Sequence, residues 1–165
     1  AGYETEINLN VTDWLSQIAG KLKCGFVLAI DYGFVRREFY SPHRTAGTLQ
    51  CRAHHRLLAS AFEAIGESDI SAHVDWTGLA EDAEANGLRL SGFSDQHHFL
   101  TGIVSAWPHL IEGANPKTRR TLQTLLHPEM LGRMFQVFAL SKAVDSTSGL
   151  SGFKFAKDAR RSLGV

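Results

Sequence analysis

A carboxylate and a phenol, Asp31 and Tyr32, directly follow the apolar run Gly25-Phe26-Val27-Leu28-Ala29-Ile30 and directly precede Gly33. The run is too short for a buried helix and is bracketed by glycines, so the spacing predicts a strand. A strand apolar on both faces belongs in the middle of a parallel sheet covered by helices. Ligands of such sheets bind just beyond the carboxyl ends of the strands, where Asp31 and Tyr32 emerge. There the acid can hold a cation or a proton, the phenol can donate a hydrogen bond, and Gly33 lets the chain turn. Spacing alone serves an ordinary strand end with a solvated Asp equally well.

The other chemistry-bearing types are histidines, eight in all. His73-Val74-Asp75 sets two such side chains on one side of an extended segment. Adjacent His54-His55 and His97-His98 do not both face one metal from a helix, and no His or Cys pair has known ligand spacing, so no metal site is expected. No G-x-S-x-G marks a hydrolase nucleophile. Neither a phosphate-cradling P-loop nor a G-x-G-x-x-G after a strand is present.

The elements that must position these residues come from one domain's length of chain, 165 residues. Apolar content of 44% and charged content of 21% are near the globular average, which argues against disorder and membrane spanning. Lys plus Arg, 17, balance Asp plus Glu, 17, so the basic excess of a phosphate-gripping chain is missing and no nucleic-acid partner is expected. Arg36-Arg37, Arg119-Arg120 and the stretch from Lys154 to Arg161 read as solvated faces. Cys24 and Cys51 lie apart with no C-x-x-C, which suits free thiols in a reducing compartment. No apolar run reaches the roughly 18 residues of a membrane helix. The opening Ala-Gly-Tyr, entering structure almost at once, suggests a piece of a longer protein.

In chain order, residues 3–11 read as an edge strand or extended lead-in. Thr12 or Asp13 caps a helix carrying Trp14, Leu15, Ile18, Ala19 and Leu22 on one face, ended by Gly25. After the 25–33 strand, 34–49 is a polar loop punctuated by Ser41-Pro42 and Gly47. Leu57, Leu58, Ala61, Phe62 and Ile65 have helical spacing, predicting a helix over 50–65. An irregular passage runs to Asp75, which can cap a helix through Ala83 that Asn86-Gly87 terminates. Residues 88–93 read as a strand, 95–103 as a helix, and Asn115-Pro116 as the start of a helix through Leu126. The run 134–140 is a buried strand, 146–152 a loop, and 150–156 a last short strand. Three or four strands are few for a complete doubly wound sheet, so half a domain is a serious reading.

One ordered set of residues adds a resemblance. Asp31-Tyr32-Gly33, Tyr40, Arg44, Gly47-Thr48-Leu49 and His55 are followed by Asp69-Ile70-Ser71-Ala72-His73-Val74-Asp75-Trp76. Gly87-Leu88, Gln96, Phe99-Leu100, Gly102-Ile103, Met130-Leu131-Gly132 and Phe135 come after. Together they resemble the carboxyl-terminal half of the MidA-type methyltransferases, which use S-adenosylmethionine (SAM) and include the mitochondrial complex I assembly methyltransferase acting on arginine. Ser71 stands where the family usually has Thr, Trp76 where it has Phe, and Ile65-Gly66-Glu67 where a Pro-Gly step is expected.

The resemblance implies an α/β fold, the carboxyl-terminal half of a Rossmann-like class I methyltransferase sheet with helical insertions, over residues 1–165 as a single substrate-side segment. The 25–33 strand would be the fifth of seven and the last strand antiparallel. The family's glycine-rich SAM loop lies upstream of this segment, so the cofactor would be bound mainly by residues outside it and the segment alone would be inactive. An arginine acceptor is a protonated cation and needs acids to bind it and take its proton. That gives catalytic roles to Asp31, Asp69, His73 and Asp75, and substrate contacts to Tyr32, Arg44, His55 and Gln96. Against these stand caps and turns for Asp69 and Asp75, interior hydrogen bonding for His73 and His55, packing for Tyr32 and loop-holding for Gln96. The implied partner is a protein substrate such as a respiratory complex I subunit, with a homodimer allowed, in the bacterial cytoplasm or the mitochondrial matrix. The rival from another class is a non-catalytic protein-interaction module of a respiratory-complex assembly factor, and a weaker one is a metal-dependent hydrolase.

Overall fold

The computed structural model describes residues 2–144 and 149–165. Helix α1 (Val11–Lys21) leads into strand β1 (Gly25–Asp31), followed by the short strand β2 (Gly33–Phe34) and one turn of helix, α2 (Arg36–Phe39). Strands β3 (Gln50–Ala53), β4 (Arg56–Leu57) and β5 (Asp69–Ser71) then form an antiparallel arm in the order β4-β3-β5. Strand β6 (Val74–Asp75) pairs in parallel with β2 and runs into α3 (Trp76–Ala85). Strand β7 (Arg89–Asp95) is followed by α4 (Gln96–Ala106), α5 (His109–Glu112), α6 (Pro116–Leu126) and a π-helical turn (Pro128–Gly132). Strand β8 (Gln136–Lys142), a 3-10 turn (Ser151–Phe153) and α7 (Ala159–Leu163) close the chain.

The main sheet has the order β1-β8-β7, with β8 antiparallel to both neighbours. Strands β1 and β7 are therefore parallel to each other and end at the same edge. Val137 to Ser141 of β8 are each no more than 1% exposed, because both faces of this strand are covered. On one face Phe138 and Leu140 join Leu15 and Ala19 of α1, Trp76, Leu79 and Ala83 of α3, and Leu163 of α7. Trp76 stacks on Phe138 with ring centroids 5.4 Å apart. On the other face α4 and the 3-10 turn close in at glycines. A side chain at Gly92 would meet the Phe153 ring at 2.5 Å, and one at Gly152 the Phe99 ring at 2.2 Å.

Several expectations hold. Asp75 caps α3, its Oδ1 accepting from the Gly78 N–H at 3.1 Å, and Asn86-Gly87 ends that helix with Gly87 at φ +77°. Asn115 caps α6, with Pro116 in its first turn. Others are corrected. Strand β1 is not the buried centre of a parallel sheet. Among the described residues it is an edge strand paired antiparallel to β8 alone, and Phe26, Leu28 and Ile30 are 37%, 48% and 50% exposed. Among the described residues only its α1/α3 face, with Val27 and Ala29, is covered.

Residues 50–65 are not a helix. His54 and His55 take φ +49° and +62°, reversing the chain between β3 and β4, and only Cys51 and Ala53 turn inward. The helically spaced Leu57, Phe62 and Ile65 are exposed, so the period matched no buried face. The last strand expected over 150–156 is the 3-10 turn, held by packing of Phe153 and Gly152 rather than by a strand partner. The expected loop at 146–152 lies partly outside the described residues. Helix α1 begins one residue before Thr12, and Thr12 donates its hydroxyl to Asp82 at 3.0 Å instead of capping. No described helix is long and apolar enough to cross a membrane.

Candidate active site

The site starts where β1 ends. Asp31 turns its Oδ1 back to accept the Tyr32 N–H at 2.8 Å, an exposed carboxylate held by its own backbone. The next peptide is fixed from two sides: the Tyr32 carbonyl accepts from Val74 N–H at 2.9 Å, and Gly33 N–H donates to Gln136 Oε1 at 3.0 Å. Gly33 is compulsory, since a Cβ there would lie 2.2 Å from Trp76 Nε1 and 2.5 Å from the Val74 carbonyl. The parallel β2–β6 pair thereby brings His73 beside the carboxyl end of β1.

Aromatic rings fill this junction. Tyr32 lies 4.2 Å from Phe135 and 6.1 Å from His73, and His73 stacks on Phe34 at 4.7 Å with 18° between planes. The Arg44 guanidinium lies over the Phe34 ring, 4.0 Å from its centroid, a cation–π contact that brings a charge into the group. The backbone N–H of His73 donates to Thr48 Oγ1 at 2.9 Å, and Thr48 N–H donates to the Glu6 carboxylate. Glu6 Oε2 is buried with no hydrogen-bond partner among the described residues, and Gly47 at φ +69° leaves the space its carboxylate occupies.

Electrostatics follow from this packing. Burial and then the nearby Arg44 charge push the His73 imidazole below its ordinary 6.5, partly opposed by Glu6 and Asp31. His73 is thus biased towards its neutral form, which can accept a proton. Burial and then Asp75 raise the Tyr40 phenol, keeping it protonated and able to donate. Glu6, Tyr40, His73 and Asp75 line a cleft of about 690 Å³ between the amino-terminal lead-in and α3.

The structure brings Asp31, Tyr32, His73 and Arg44 together. It does not bring all the expected residues there. Asp75 is occupied as the α3 cap and by Arg36, whose Nε lies 3.6 Å from its Oδ2. Asp69 pairs in register with Arg52 on the arm, and His55 sits in the reversal between β3 and β4. Gln96 donates its amide to the Leu125 and Leu131 carbonyls at 3.0 and 3.4 Å, tying α4 to the end of α6 and to the π-helical turn after it. Glu6, Thr48, Phe34 and Phe135 join the site without having been anticipated for it. Thr48 and Phe135 stood in the ordered motif set, whereas nothing in the local sequence singles out Glu6. Among the described residues no group of three or more His, Cys, Asp or Glu is placed to hold a metal.

A family described as "Putative S-adenosyl-L-methionine-dependent methyltransferase" matches residues 1–94, over half of the chain. This chain belongs to that family. The MidA-type resemblance agrees with it. Two crystal structures from Burkholderia thailandensis are similar over 97% of this chain, each at 27% identity. One is an uncharacterized protein in native form, with a TM-score of 0.83; the other is a "likely methyl transferase" bound to S-adenosyl-homocysteine, with a TM-score of 0.84. The methyltransferase-family chain spans 44% and 42% of those proteins, less than half of each. No curated protein matches it. The α/β architecture, with its last long strand inserted antiparallel, is the Rossmann-like methyltransferase fold in part.

Proposed function

We propose that residues 1–165 form the substrate-side half of a SAM-dependent methyltransferase whose acceptor is an arginine of a protein. The reading rests chiefly on likeness over 97% of the chain to a protein crystallised with S-adenosyl-homocysteine. The arginine and the candidate partner, a respiratory complex I subunit, come from the MidA-type resemblance. The residues present fit SAM as one wall only. Gly33 is closed by Trp76 and Val74, leaving no cradle there, and no glycine-rich loop follows a strand. When bound, SAM supplies the methyl group.

In this reading Asp31 binds and orients the cationic acceptor at the end of β1, Tyr32 and Phe135 form an apolar wall, and neutral His73 accepts a hydrogen bond. Burial and then the Arg44 charge bias His73 towards its neutral form. Asp75 acts by holding α3 and the His73 segment in place, and Asp69 acts from the arm. The test is transfer of labelled methyl from SAM by the full-length protein, with methylarginine identified after acid hydrolysis. Asp31→Asn is expected to lower turnover about 10²-fold through lost positioning of the acceptor. Label found only on another residue type would reject the arginine acceptor.

A non-catalytic interaction module is favoured by one observation, the exposed Leu57, Phe62, Ile65 and Ile70 on and beside the β3–β5 arm. Protein partners are commonly met on such apolar patches. If the full-length protein binds a protein partner through this arm and transfers no methyl group, the module reading replaces the enzyme.

A further inference from the structure

Asp95 and His98 form a carboxylate–imidazole pair outside the Asp31–His73 cluster. Asp95 ends β7 and caps α4, its Oδ1 accepting the His98 backbone N–H at 2.8 Å and lying 2.7 Å from His98 Nδ1. A carboxylate at that distance holds the proton on Nδ1, so Nε2 presents a lone pair. The neighbouring His97 is the contrast: its Nδ1 lies 2.5 Å from the Leu126 carbonyl, committing that ring to packing against α6.

His98 and Asp95 line a cleft of about 560 Å³ with Glu38 of α2, Arg133, Gln136 and Lys157. Their side chains are 43% and 24% exposed, open to an entering group. The cleft belongs to the same sheet edge as Asp31. In register, Asp31 faces Gln136 and Gln136 faces Asp95, so two strand spacings, roughly 10 Å, separate the two acids. Gln136 lies between them and accepts from Gly33 N–H. Gly33 and Phe34 also line this cleft, joining it to the β1 terminus.

We propose that His98, oriented by Asp95, is the base that takes the proton from the methyl acceptor, which is then an N–H nucleophile entering through this cleft. The inference rests on the methyltransferase reading. As the acceptor nitrogen forms its bond to the methyl carbon, the carbon–sulfur bond of SAM breaks and its electron pair stays on sulfur, leaving S-adenosyl-homocysteine. The acceptor N–H proton passes to His98 Nε2, and the imidazolium is stabilised by Asp95. Glu38, Arg133 and Lys157 are the other charged groups that line this cleft.

The experiment uses the full-length protein with ¹⁵N-labelled histidine, and N-acetyl-arginine methylamide as probe. His98 is expected in the Nδ1–H tautomer, and its Nε2 resonance is expected to move saturably with the probe; His98→Gln identifies the signal by its loss. Asp95→Asn keeps a residue able to cap α4 and should reduce the Nδ1–H population and the probe-induced shift. In turnover, His98→Gln should cost about 10²-fold or more and flatten the acid limb of the pH profile. An Nε2–H tautomer, an Nε2 signal unmoved while the probe saturates, or His98→Gln turnover with an unchanged acid limb would overturn the proposal. Calorimetry separates the two failures. A wild type that binds no SAM removes the methyltransferase reading, and with it this one. A wild type that binds SAM beside an unaffected His98→Gln removes only the role of His98.

Discussion

Strands β1 and β8 carry almost the same kind of sequence, an unbroken apolar run, and have opposite surroundings. Strand β8 lies between two partners with helices on both faces, and Val137 to Ser141 are essentially inaccessible. Strand β1 has one partner and one covered face, leaving Phe26, Leu28 and Ile30 at the surface. An apolar run therefore records the environment for which a strand was selected. On the proposed half-domain reading, that environment in β1 includes neighbours outside this chain, which spans less than half of its structural relatives.

The sharpest test of the contrast is truncation on the two strands. Phe138→Ala should cost about 3–5 kcal/mol, since it removes a ring stacked on Trp76 in a closed core. Leu28→Ala should cost less than about 1 kcal/mol in this chain, being half exposed. Urea denaturation of this chain checks both, and equal losses would contradict the edge position of β1. In the full-length protein the Leu28 cost should rise towards about 2–5 kcal/mol if the missing half covers it.

Gly33→Ala comes next. With Trp76 Nε1 and the Val74 carbonyl in the way, the added methyl must displace the β2–β6 pair, costing about 1–3 kcal/mol and separating His73 from Tyr32. Thermal unfolding reads the first effect and the His73 ring signals the second. Asp75→Ala should cost about 1 kcal/mol for the lost α3 cap, with Asp75→Asn largely neutral. A full rescue of turnover by Asn would show that the carboxylate acts structurally rather than on the acceptor.

The smallest effect is a pH slope. The folded state holds fewer protons on His73 than the unfolded chain, because burial and Arg44 lower its affinity. Stability from the neutral ring is thus complete above the ordinary value of 6.5 and declines as pH falls below it towards the lowered folded value. His73→Gln should flatten stability against pH in that window, and Arg44→Gln should move the His73 titration upward without restoring 6.5, because burial remains. An NMR titration of His73 measures the second.

What the sequence made legible was local. Asp75, Asn86-Gly87 and Asn115-Pro116 mark helix ends through hydrogen bonds and backbone angles decided within a few residues, and the helices lie where they indicate. The run ending in Asp31 gave a strand and a rim residue, but its place in the sheet depends on β8, more than a hundred residues later. The β3–β4 reversal was hidden because two histidines, not glycine or asparagine, adopt positive φ there. Glu6 is tied to His73 by hydrogen bonds through Thr48, a long-range link with no local signature. His98 had one readable sign, an Asp three residues earlier at a strand end, which is a common cap and became distinctive only beside the cleft.

The central claim, that this chain is the substrate-side half of a SAM-dependent methyltransferase, is tested most directly by titration calorimetry with SAM on the chain and on the full-length protein side by side. The account predicts binding by the full-length protein and none by the chain alone. Tight binding by the isolated chain would contradict the half-site assignment, and binding by neither would contradict the methyltransferase itself.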